Sequence, residues 1–153
     1  MPANENSISF SGKTDLDLLF EFLRFPTVST KADHAPQMQA CARWLQALLR
    51  HGGFRAEVCE TGGHPAVLAH GPEAPGKPTV LIYGHYDVQP EEPLHLWTSP
   101  PFEPALRNKR VFARGSTDNK GQILAHLLGA IHLLREEGTL PVNLIFLIEG
   151  EEE

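Results

Sequence analysis

What this 153-residue chain lacks removes several classes of function. It has only two cysteines, Cys41 and Cys59, well separated and outside any C-x-x-C pattern. That argues against a disulfide-stapled scaffold and for a reducing compartment. Cys41 falls on the apolar face of a predicted helix and Cys59 in a predicted strand, so both read as small buried hydrophobes. No block of lysine or arginine occurs, and the net charge is −6, which argues against a nucleic-acid partner. No apolar run reaches the roughly 18 residues that a membrane span requires. Met1 to Lys13 is polar and lacks the apolar centre of a signal peptide. These absences point to a cytoplasmic protein with no membrane partner. There is also no internal repeat, no low-complexity segment and no linker.

What is present is the composition of an ordinary globular domain, 41% hydrophobic and 21% charged, and long enough to bury its own core. Residues 1–12 read as a loose tail and residues 13–153 as one segment. Thr14 is placed to cap a helix through Phe25, with Leu16, Leu19, Phe22 and Leu23 on one apolar face and Pro26 ending it. A second helix is predicted over Pro36 to His51, with Met38, Cys41, Leu45, Leu48 and Leu49 inward and Gly52-Gly53 as its stop.

Strands are predicted at Phe54 to Glu60, Ala66 to Ala69 and Thr79 to Tyr83. The last is almost continuously apolar, the pattern of a strand covered on both faces. Pro104 to Leu106 and Arg110 to Ala113 read as a hairpin turning at Arg107 to Lys109. A long helix runs from Asn119 to Glu137 on the stripe Ile123, Leu124, Leu127, Leu128, Ile131 and Leu134, and stops at Gly138. Pro141 precedes a buried-type strand, Val142 to Ile148. The expected fold class is α/β: a mixed, mostly parallel sheet sandwiched by helices.

Three polar clusters sit at strand exits or a helix entry. Gly84-His85-Tyr86-Asp87-Val88-Gln89-Pro90 follows an apolar strand. Residues two apart in extended chain face the same side, so His85 and Asp87 can serve one site, Asp87 holding the second ring nitrogen of a metal-bound histidine. It also reads as a polar turn with a satisfied histidine. Gly115-Ser116-Thr117-Asp118-Asn119-Lys120-Gly121 opens the long helix. Asp118 is either a helix N-cap or a carboxylate whose two oxygens bridge two cations. Glu149-Gly150-Glu151-Glu152-Glu153 follows the last strand. It is either a solvated acidic loop or a pair in which one glutamate binds metal and its neighbour moves protons. In open α/β sheets, ligands gather beyond the carboxyl ends of strands, where these clusters fall. A histidine with carboxylates suits zinc, manganese or cobalt.

With these residues in view, the chain resembles the dinuclear-zinc aminoacylase and carboxypeptidase family. That family includes carnosine-type dipeptidases, carboxypeptidase G, peptidase T and succinyl-diaminopimelate desuccinylase. Its G-H-x-D-V-x-P stands as Gly84 to Pro90, and its G-R-G-x-x-D-x-K-G as Ala113 to Gly121, with alanine for the first glycine. Its glutamate pair stands as Glu152-Glu153, in a context resembling the dipeptidase branch, as do Trp97 and Ser99 to Phe102.

The resemblance implies two divalent ions, zinc first and manganese or cobalt as alternatives. His85 would bind one ion, Asp118 would bridge both ahead of a peptide bond that is often cis in the family, and Glu153 would bind the second. Glu152 would be the general base and acid, and Asp87 would support His85. It implies hydrolysis of a peptide or amide bond by a metal-bridging water, in a homodimeric whole protein. The substrate would be a dipeptide or an N-acyl amino acid. A non-catalytic interaction module is the reading from another class. The family's further acidic ligand, its C-terminal histidine and its lid domain have no counterpart here. His34, His51, His64, His70, His95, His126 and His132 are not convincing substitutes for the histidine. The expectation is therefore the N-terminal part of a longer enzyme's catalytic domain, inactive and weak in metal binding by itself.

Overall fold

The computed structural model describes residues 8–153, so most of the stretch read as a tail lies outside the described residues. From Phe10 onward the chain is packed, with the Phe10 ring set edge-on against Trp44 at 5.8 Å. Helix α1 spans Asp15–Leu23. Thr14 caps it as expected, in a reciprocal box: the Asp17 N–H donates to Thr14 Oγ1 (3.2 Å) and the Thr14 N–H to Asp17 Oδ2 (2.9 Å). Its buried residues are Leu18, Phe22 and Leu23, whereas Leu16 is 41% exposed.

Helix α2 spans Ala35–His51 after a short 3-10 turn at Ala32–His34. It buries all five residues expected on its inner side, and Ala42 and Trp44 besides. Helix α3 spans Lys120–Glu137 and ends at Gly138, whose φ of +72° is left-handed and whose N–H donates to the Leu134 carbonyl.

Four strands form the main sheet: β1 (Arg55–Cys59), β2 (Ala66–His70), β3 (Thr79–His85) and β6 (Asn143–Glu149), in the order β1-β2-β6-β3. The expected hairpin is present as β4 (Ala105–Arg107) and β5 (Arg110–Phe112), joined through Asn108 and Lys109, both at positive φ. The α/β architecture with a mixed sheet stands. Its pairing is less parallel than expected: β3 runs parallel to β6, while β1–β2 and β2–β6 are antiparallel.

Ala56, Val67, Ala69, Leu144, Phe146 and Ile148 are buried in one core with residues of all three helices. By register these residues share one face of the sheet. The opposite face carries Leu68, Leu81, Tyr83, Ile145 and Leu147, all partly or well exposed. Among the described residues all three helices pack against the first of these faces. Strand β3, read as covered on both faces, has Val80, Leu81 and Tyr83 at 40%, 58% and 52% exposure. Among the described residues it pairs with β6 at the end of the order. The contrast is testable by denaturant unfolding of residues 1–153. Phe146→Ala is expected to cost about 3–5 kcal/mol, and Leu81→Lys less than about 0.5 kcal/mol. Comparable losses from the two would contradict the layering.

Candidate metal centre

The site forms where parallel strands β3 and β6 end side by side. Their register pairs Gly84 with Ile148 and His85 with Glu149, and the Tyr86 N–H extends the ladder to the Glu149 carbonyl at 2.8 Å. The exit of β3 is also held from outside the sheet. Thr27 Oγ1 donates to the Tyr86 carbonyl at 2.6 Å, and the Val88 N–H to the Thr27 carbonyl at 2.9 Å. Tyr86, Asp87 and Val88 are consequently buried, and burial pushes the Tyr86 hydroxyl pKa up.

Asp87 is fully buried and joins the two strand exits. One carboxylate oxygen accepts the Glu152 N–H at 3.2 Å and the other the Glu153 N–H at 2.9 Å. The first also lies 3.3 Å from His85 Nδ1, which faces the Asp87 carbonyl at 3.2 Å as well. With two acceptors on that side, the imidazole carries its hydrogen at Nδ1 and presents the Nε2 lone pair outward. Nε2 lies 3.3 Å from Asp118 Oδ1 and 3.7 Å from Glu152 Oε2.

Asp118 reaches this position because it does not cap α3. Asn119 occupies the N-cap position, the Asp118–Asn119 peptide is cis, and the Asp118 side chain is 73% exposed. The capping alternative for Asp118 is thus corrected. Gly121 lets the loop close here, since a Cβ would collide with the Ser116 carbonyl oxygen. Behind the loop the fully buried Lys120 donates from Nζ to the Phe22 and Phe25 carbonyls at 3.1 and 2.7 Å. It so satisfies the C-terminal end of α1. Desolvation pulls the Lys120 ammonium down to about 8, against the pull of Cys41 and Asp87.

Among the described residues one group of donors lies within mutual reach of a single ion: His85, Glu152 and Glu153, their ligand atoms within 4.8 Å of one another. Asp118 approaches the same histidine nitrogen but falls outside that group. The donor set fits a divalent cation. An imidazole lone pair aimed at carboxylate oxygens is repulsive until a positive charge sits among them.

Three further side chains with a part in the site were not singled out from sequence. Gln89 Nε2 donates to Glu153 Oε2 at 2.5 Å. Asn119 Oδ1 accepts the His85 N–H at 3.2 Å. Arg114 stacks over Trp97 at 5.3 Å and donates to the Pro90 carbonyl at 2.9 Å, tying the loop before α3 to the end of the histidine motif. Gln89 was within reach of the alternation rule, being two residues beyond Asp87. Three of the other histidines have local partners instead. His64 Nε2 meets the Ser29 carbonyl, His34 Nδ1 the Pro26 carbonyl, and His132 the Asp15 carboxylate.

These elements place a candidate divalent-metal site at the carboxyl edge of an α/β sheet. Residues 81–153 match the peptidase family M20/M25/M40. The chain is 35% identical over 140 residues to the Cys-Gly metallodipeptidase dug1 of Schizosaccharomyces pombe, covering 84% of this chain and 29% of that protein. It is 32% identical over 139 residues to the succinyl-diaminopimelate desuccinylase of Stenotrophomonas maltophilia, covering 90% and 35%. An M20-family metallo-carboxypeptidase of Sulfolobus solfataricus superposes with a TM-score of 0.83 at 38% identity, over 92% of this chain and 31% of that one. The chain belongs to the M20 peptidase family and spans about a third of the length of the relatives it matches.

The Asp87 contacts set an expectation. Asp87→Ala should lower the unfolding free energy by about 1–3 kcal/mol by orphaning the Glu152 and Glu153 amides. It should also speed hydrogen exchange at those two amides. Unchanged exchange there would remove Asp87 from its joining role.

Proposed function

We propose that the whole protein is a metal-dependent hydrolase of peptide or amide bonds in dipeptides or small peptides. The observation that carries this is the convergence of His85, Asp118, Glu152 and Glu153 where β3 and β6 end together. The names of the M20 relatives support the substrate class, since they include dipeptidases and a metallo-carboxypeptidase. The desuccinylases among them keep N-acyl-amino-acid deacylation as the alternative.

Two divalent ions, zinc first and manganese or cobalt after it, would be held by His85, by Asp118 between them, and by Glu153. When bound, the ions supply Lewis acidity that polarises the scissile carbonyl and makes water a better nucleophile at neutral pH. The protein's own groups do the rest. Asp87 keeps the His85 hydrogen on Nδ1, and Gln89 aims the Glu153 carboxylate. Asp118 lies nearer His85 Nε2 than Glu152 does, which supports Asp118 as the ligand and leaves Glu152 for proton transfer. A half-exposed Glu152 carboxylate can take a proton from the attacking water and return it to the leaving amine.

A catalytic zinc takes about three protein ligands. Here each ion would have two, with Asp118 shared. Residues 1–153 alone are therefore proposed to bind zinc weakly and to be inactive, as the N-terminal segment of a catalytic domain. Homodimerisation of the whole protein and a cytoplasmic location belong to the same proposal. The two free cysteines support the location. No helix among the described residues is long and apolar enough to cross a membrane.

Metal analysis and parallel assays on the whole protein test the proposal. About two zinc ions per chain are expected, lost in Asp118→Ala. Glu152→Gln should retain metal while kcat on unblocked dipeptides falls about 10²–10⁴-fold. Preference for N-acetyl or N-succinyl amino acids would favour the deacylase. A whole protein with neither metal nor hydrolysis would leave the non-catalytic module.

A further inference from the structure

We propose that Asn119 is a positioning residue for the metal centre: its side-chain oxygen sets where the His85 ring is delivered. The inference rests on the metal-site reading above. Two observations carry it. Asn119 Oδ1 accepts the His85 backbone N–H at 3.2 Å, and Asn119 Nδ2 donates to Gln122 Oε1 at 2.7 Å. A backbone N–H can only donate, so the oxygen end of the amide must face β3.

The second observation is the space beside β3. A Cβ on Gly84 would stand 2.8 Å from Asn119 Oδ1 and 2.8 Å from Ile123 Cδ1. The glycine before His85 is thus the room in which the Asn119 amide sits. Among the described residues β3 pairs with β6. At the last residue of β3 the Asn119 side-chain oxygen holds the backbone that aims His85. Asn119 immediately follows Asp118, so one residue sets the spacing between the loop of one proposed ligand and the backbone of another. Gln122, one turn into α3, fixes the amide in turn.

The test is Zn²⁺ titration of the whole protein by calorimetry, with hydrogen exchange at the His85 amide and a denaturation midpoint for each variant. Asn119→Ala is expected to weaken Zn²⁺ binding about 10-fold or more and to speed exchange at His85. Asn119→Asp keeps an oxygen acceptor, so it should bind Zn²⁺ at least as tightly as wild type and keep the His85 amide protected. Gly84→Ala, which displaces the amide without removing it, should weaken binding like Asn119→Ala. His85→Ala is the control that loses the ion His85 would hold. If Asn119→Ala binds like wild type, or Asn119→Asp falls as far as Asn119→Ala, the positioning role is overturned while the metal site stands. A wild-type whole protein that takes up no Zn²⁺ overturns the metal-site reading with it.

Discussion

The buried carboxylate of Asp87 is the interaction on which the site depends. A carboxylate removed from water must find donors, and this one takes two backbone amides from the exit of β6 and faces one ring nitrogen from the exit of β3. The cost of burying the charge is offset only when all three are in place. The two strand ends are thus coupled: His85 cannot turn away, and the Glu152–Glu153 segment cannot lift, without leaving Asp87 short of a partner. Sheet pairing brings the exits together, and Asp87 converts proximity into a fixed relation between a histidine and two glutamates.

A second brace acts from the helical side. The loop before α3 carries Asp118, and the residues after it are tied in two directions. Asn119 reaches forward to the His85 backbone, while Lys120 reaches back through the core to the last carbonyls of α1. Lys120 is a costly residue to bury, and it is retained where it satisfies the carbonyl end of one helix while seating the start of another. The acidic cluster therefore rests on parts of the chain far apart in sequence: the Thr27 turn, the exits of β3 and β6, and the entry to α3.

What could be read from sequence follows the range of the interaction. Thr14 with Asp17, the α2 stripe and Gly138 are local patterns of capping, helical period and chain reversal, and they appear where the pattern put them. The three clusters were legible because each follows a strand or opens a helix, and those positions are local too. Strand β3 exposes Val80, Leu81 and Tyr83 among the described residues, because coverage of a strand depends on neighbours far along the chain rather than on its own apolar pattern. Asp118 was ambiguous because N-cap and ligand positions differ by one residue, and the loop geometry decided it. Asn119 was silent because its partner is a backbone N–H, which leaves no side-chain mark in the sequence. The two amides accepted by Asp87 escaped notice for the same reason.

The way Asp87 holds the glutamates bears on how their roles divide. Its two oxygens take the N–H groups of consecutive residues, which fixes the peptide plane between Glu152 and Glu153. Their carboxylates lie within reach of one ion, yet their partners differ. Glu153 is drawn to Gln89, and Glu152 remains half-exposed near the outward nitrogen of His85. Two chemically identical carboxylates are thereby given unlike surroundings, one tethered by a neutral donor and one open to water. A tethered carboxylate suits a fixed ligand, and an open one can approach a water and rotate away carrying its proton. The division of labour between adjacent glutamates thus comes from the backbone, set by a third carboxylate that itself touches neither side chain.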